Sequence, residues 1–172
     1  MAKNNNNELS KGITFFFVCV ALSMSVGAQN VSINALTLKS GIVKKGKIVL
    51  FQITINNTDA TELVGIYKLK VQINVADSIV SIAKSGHNLP TGWEIISTID
   101  GSITLSNGKD IVAPSDARNI FIALVGKKVG GPVIVSGQLR FSNGVVPGTE
   151  PGSLKGDNPA DNLATSSCQV KK

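Results

Sequence analysis

Side chains able to do chemistry are scarce in this chain. Its sole histidine, His87, stands in Ser85-Gly86-His87-Asn88, and neither a second histidine nor a usable cysteine accompanies it as a metal partner. A Ser–His–Asp arrangement gathered from distant positions stays open, but no Gly-x-Ser-x-Gly elbow is present to present a nucleophile. His87 therefore reads as a loop histidine. The densest set of oxygen donors is Asp157, Asn158, Asp161 and Asn162, within Asp157-Asn158-Pro159-Ala160-Asp161-Asn162. Calcium takes about six to eight oxygens, so this segment is the candidate metal site and calcium the candidate cofactor. It lacks the glycine at the sixth position and the closing glutamate of a helix–loop–helix calcium loop. The competing reading is that Asp and Asn shape the turn ahead of a strand. Trp93 reads first as a core ring and second as a platform for stacking a sugar.

The elements that must position these groups follow from the rest of the chain. Of its 172 residues 42% are apolar and 16% charged, so the chain can bury a core and is not a disordered polymer. Two cysteines in all exclude disulfide scaffolds, zinc fingers and iron–sulfur sites. At the N-terminus, Lys3 and Lys11 precede the apolar run Ile13 to Leu22, and small residues end in Val26-Gly27-Ala28. This three-part pattern predicts a secretory signal peptide over 1–28, cleaved after Ala28. The run is about half of the roughly 20 apolar residues that a membrane anchor needs. The expected location is therefore secreted, periplasmic or at the cell surface, with no transmembrane segment in the mature chain. Cleavage takes 28 of the 172 residues and leaves 144; Lys3, Lys11 and Glu8 go with them, and net charge falls from +6 to +5. Cys19 goes too, which leaves Cys168 alone: a small apolar residue on a last strand, or a thiol that pairs with another chain.

Residues 29–172 alternate with period two, as half-buried strands do. Val31 and Ile33, then Leu36 and Leu38, predict a first strand with a bulge at Ala35. Val49, Phe51, Ile53 and Ile55 predict a second, and Tyr67, Leu69, Val71, Ile73 and Val75 a third with Lys68 and Lys70 facing water. Further strands are expected around 79–82, 93–96, 103–105, 120–124, 133–141 (with Gly137 in its middle) and 164–170. Turn signals separate them, among them Asn56-Asn57-Thr58-Asp59, Asp100-Gly101 and Ser106-Asn107-Gly108. About eight short strands describe a single all-β domain, an antiparallel two-sheet sandwich, with a closed barrel as the alternative. The Gly/Pro-rich stretch 146–162 is expected to be a surface excursion.

Three turn motifs carry a family resemblance. Asn56-Asn57-Thr58-Asp59, Leu89-Pro90-Thr91-Gly92-Trp93-Glu94 and Asp161-Asn162-Leu163-Ala164-Thr165 resemble the turns of the immunoglobulin-like conserved-repeat domain of bacterial surface and adhesin proteins. The resemblance implies an extracellular immunoglobulin-like sandwich and no catalysis. Lys39, Lys44, Lys45 and Lys47 cluster near the first turn. They serve either to attract anionic ligands or to keep sheet edges from pairing with neighbours. Only Arg118 and Arg140 offer the forked geometry of phosphate readers, and the export signal argues against nucleic acid. The expected function is a non-catalytic binding module for a protein or polysaccharide at the cell surface, using a sheet face, an edge, or the loops 86–92 and 146–162. The alternative is a structural subunit of a surface assembly joined by strand addition. A hydrolase with dispersed catalytic residues comes third.

Overall fold

A computed structural model describes residues 30–38, 41–75, 78–142 and 157–172. The expected signal peptide and most of the 146–162 excursion lie outside the described residues. Ten strands run in order: β1 (Val31–Thr37), β2 (Ile42–Lys44), β3 (Ile48–Asn57), β4 (Leu69–Val75), β5 (Val80–Ile82), β6 (Glu94–Ile99), β7 (Ser102–Ser106), β8 (Ala117–Gly126), β9 (Gly130–Phe141) and β10 (Leu163–Lys171). They form a four-stranded sheet, β1-β3-β8-β5, and a six-stranded sheet, β2-β10-β9-β4-β7-β6. Every named pair is antiparallel except β2 with β10. The expected two-sheet sandwich is what forms, with separate sheet edges rather than a closed barrel.

The core is the set of inward positions that the alternation picks out. Val49, Phe51, Ile53 and Ile55 of β3 and Ile120, Ile122 and Leu124 of β8 meet Leu69, Val71, Ile73, Val135 and Leu139 of the facing sheet. Gly137 has a packing reason: a Cβ there would stand 2.7 Å from Ile53 Cδ1, so the missing side chain is what lets β9 close on β3. The Asp100-Gly101 signal makes the tight β6–β7 hairpin, with Ile99 opposite Ser102 and Gly101 at φ 75°.

Three local expectations are corrected. β1 carries no bulge at Ala35, because its register with β3 is unbroken from Val31 to Thr37. Ala35 keeps the inward phase and packs on the core, and Leu36 faces water. The irregularities instead fall at Ile95–Ser97 in β6 and Cys168–Val170 in β10. Tyr67 is a turn residue at φ 55°, not the start of β4. Lys70, expected in water, is only 6% exposed, lying across from Arg140 and Ser106. The short β2 went unpredicted, since a three-residue strand shows no periodicity.

Candidate functional site

The two sheets leave an open side where β5, edge of the four-stranded sheet, faces β6 and its turn, edge of the six-stranded one. Between them runs a groove of about 710 Å3. Val80, Ile82, Ile99 and Val125 give it apolar walls, and Lys84, Lys127 and Asp100 mark its rim. Ile99 is 71% exposed. On the β6 side, backbone groups that face away from β7 have no strand partner among the described residues. An edge strand beside an apolar groove can accept an extended chain: ladder hydrogen bonds hold its backbone and the groove takes alternate side chains.

The sheet faces offer less. On the six-stranded sheet Gln72 lies opposite Gln138 and Thr104, and Asn74 opposite Ser136 and Ser102, a polar surface free of rings. Trp93 is buried, and its Nε1 donates to Asp110 Oδ2 at 2.8 Å. The core reading of Trp93 therefore holds, and the sugar platform does not. Among the described residues Tyr67 and Phe121 are half-buried and the other aromatic rings are buried.

Asp110 also accepts from Arg118 Nε at 2.7 Å and from its Nη2 at 3.2 Å, while Arg118 Nη1 donates to Asp116 Oδ2 at 2.5 Å. The hydrogen bond to Asp110 is the chief reason the guanidinium pKa is raised, so Arg118 is spent on internal partners and is not a phosphate fork. The Arg118 bond in turn holds the Asp116 carboxyl below the usual range. This cluster escaped the sequence reading; Asp110 and Arg118 are eight residues apart, and only the β7–β8 turn brings them together.

His87 does not project from a free loop. Its Nδ1 accepts the Ala123 N–H at 3.2 Å, between the backbone bonds Ala83–Ala123 and Asn88–Phe121. The imidazole thus fills a missing rung of the β8 ladder, and the loop 86–92 lies partly along β8. Burial, opposed by a backbone bond at Ala83, lowers its pKa from 6.5. The fold therefore holds the neutral ring, and the stability this contributes is complete above pH 6.5 and lost as pH falls through the lower folded value. We expect the melting temperature to drop more steeply in the native protein than in His87→Ala between about pH 7 and 5. Equal slopes in a thermal scan would disprove the assignment.

The 157–162 segment makes a 3-10 turn over Pro159–Asp161 that ties β10 to the start of β1. Asp157 Oδ1 accepts from Val31 N at 3.1 Å and its Oδ2 from Asn162 Nδ2 at 2.6 Å. Asn158 Oδ1 caps Ala160 N at 3.2 Å. Both Asp157 oxygens and that of Asn158 are therefore engaged. Asp161 Oδ1 and Asn162 Oδ1 are buried without a donor among the described residues. No cluster of three or more His, Cys, Asp or Glu suited to a metal occurs among the described residues. Cys168 is buried on β10, where burial raises its thiol pKa; it is a core residue and is not presented to another chain.

The sequence matches no protein-family model and no curated protein. Solved structures do match. A cohesin module from a family 33 glycoside hydrolase of Clostridium perfringens superposes with a TM-score of 0.51 at 9% identity, over 83% of this chain and 98% of that one. A CARDB domain from Pyrococcus furiosus gives 0.49 at 10% identity, over 83% and 89%. A collagen-binding domain from a Staphylococcus aureus adhesin gives 0.44 at 7%, over 80% and 96%. The likeness is one of fold. The domain is an immunoglobulin-like sandwich, as the turn motifs implied. Those motifs act as clamps: the turn of Trp93 closes on Pro90 O at 3.1 Å, and Asn57 Nδ2 donates to Glu62 O, Val112 O and Ala113 O. Among the described residues, no helix is long and apolar enough to cross a membrane.

Proposed function

We propose that this chain is an exported, non-catalytic binding module that takes an extended segment of another protein along β6, by strand addition over the groove between the sheets. The observation that carries the reading is the conjunction at one place of a strand edge unpaired among the described residues, an apolar groove and the exposed Ile99. Recognition by backbone hydrogen bonds plus alternate side-chain pockets needs no titrating group, which suits a chain whose histidine, buried carboxylate and arginines are tied to structural partners. The same edge serves the alternative role, a subunit joined to its neighbour in a surface assembly. Panning a displayed peptide library on the purified domain tests the proposal. Enriched peptides should read as alternating strands, perturb β6 amide resonances, and lose binding to Ile99→Lys. Peptides that bind unchanged to Ile99→Lys, or hits confined to a glycan array, would refute it.

A second reading concerns the 157–162 turn and is favoured by its two buried oxygens without donors. A calcium ion there would be met by Asp161 and Asn162, with Asp157 and Asn158 holding the turn in shape. Calcium in excess should then raise the melting temperature by several degrees, about 2.7 kcal/mol at a hundredfold excess over the dissociation constant. Asp161→Ala should abolish the rise. A melting curve indifferent to calcium would remove the metal.

A further inference from the structure

Seven lysines are gathered at one end of the sandwich by segments far apart in sequence. Lys44 ends β2, Lys45 and Lys47 lie in the turn between β2 and β3, Lys127 and Lys128 lie between β8 and β9, and Lys171 and Lys172 stand at the end of β10. The pairing fixes their proximity. Lys44 lies opposite Lys171, Lys45 N donates to Lys171 O at 3.0 Å, and Gly46 N donates to Gly126 O at 2.7 Å. All seven are exposed, and the ion pairs found among the described residues belong to Arg118 at the opposite end. The stretches 42–48, 127–130 and 169–172 contain no acidic residue.

Set among these lysines are exposed aliphatic side chains: Ile42, Ile48 and Val129. A groove of about 330 Å3 is walled by Ile42, Val43 and Ile48 with Lys44 and Lys47 at its rim. Lysines that only guarded sheet edges would not require this company, and a wholly hydrophilic polyanion would leave the aliphatic groups in water. An anionic bilayer surface answers both features, since its headgroups pair with ammonium groups while apolar side chains enter the interface. Lysine suits this role, as a compact point charge on a long apolar stem that needs no fixed phosphate geometry.

We infer that this pole docks the domain end-on to an anionic lipid membrane. The groove at β6 is lined by other residues, apart from Lys127, so failure of peptide binding there would leave this inference untouched. Co-sedimentation with vesicles of mixed phosphatidylglycerol and phosphatidylcholine provides the test, with pure phosphatidylcholine vesicles and dextran sulfate as the other arms. The protein should bind the anionic vesicles, release them as salt rises, and ignore the neutral ones. Lys44→Gln with Lys45→Gln should weaken binding by about fivefold per charge. Ile48→Ser should weaken vesicle binding and leave retention on dextran sulfate unchanged, a contrast that a folding defect would not produce. Absence of vesicle binding overturns the inference. Binding to both polyanions with no effect of Ile48→Ser also overturns it, in favour of an anionic polymer.

Discussion

Asn107→Ala is expected to lower the unfolding free energy by about 4 kcal/mol, because buried backbone groups lose their partners at about 1–3 kcal/mol each. Asn107 is fully buried in the turn that follows β7. Its Oδ1 accepts from Leu69 N at 3.0 Å, and its Nδ2 donates to Gly65 O at 2.8 Å and to Asp110 O at 2.7 Å. One side chain thus serves the entry to β4, the loop before it and the β7–β8 turn. Alanine fills little of the space and supplies none of the three bonds. Urea denaturation should show a lower midpoint at an unchanged slope. Asn107→Asp keeps the acceptor but loses both donations, so it should fall near the alanine variant. A loss below about 1 kcal/mol would mean that the corner relaxes and that Asn107 is an ordinary turn residue.

That residue marks the boundary of what could be read in the chain. Ser106-Asn107-Gly108 announces a turn through the local preference of Asn and Gly, and a turn is there. Which turn asparagines become buried hubs depends on what packs over them from other segments, and Asn57, Asn107 and the merely exposed Asn158 look alike in sequence. Strands with a clean period of two, β3 above all, were legible because their alternation is caused by the burial itself. β2 is fixed by its parallel partner β10, more than 120 residues away, and leaves no local trace. Lys70 obeys the alternation and is still covered, since the pattern reports the face a residue lies on and not what crosses that face.

The candidate sites divide in the same way. The oxygen-rich segment was visible as composition, and the structure shows Asp157 and Asn158 in use as staples. The groove between β5 and β6 exists because two edges fail to meet, a property of strand order that no run of residues encodes. The lysine pole was half visible: Lys44, Lys45 and Lys47 form a cluster in sequence, whereas Lys127, Lys128, Lys171 and Lys172 join them only through the β2–β10 and β8 register.

Asp110→Ala should cost about 2–3 kcal/mol, somewhat less than the 3–5 typical of breaking a fully buried pair. The discount follows from exposure: the Arg118 side chain is 21% and that of Asp110 13% accessible, so water can partly solvate the guanidinium left behind. What water does not repair is the indole N–H of Trp93, which sits in the core and has Asp110 Oδ2 as its acceptor. The chain has a single tryptophan, so its fluorescence reports this corner alone. In Asp110→Ala the native emission should shift and the unfolding midpoint should fall together. Asp110→Asn, which keeps one acceptor oxygen but loses the charge, should recover most of the indole signal and less of the stability. Arg118→Met separates the two contributions, because it removes the cation and leaves the bond from Trp93 to Asp110. If Arg118→Met proves as damaging to the Trp93 emission as Asp110→Ala, the indole bond is not what anchors the ring, and the aspartate acts through Arg118 instead.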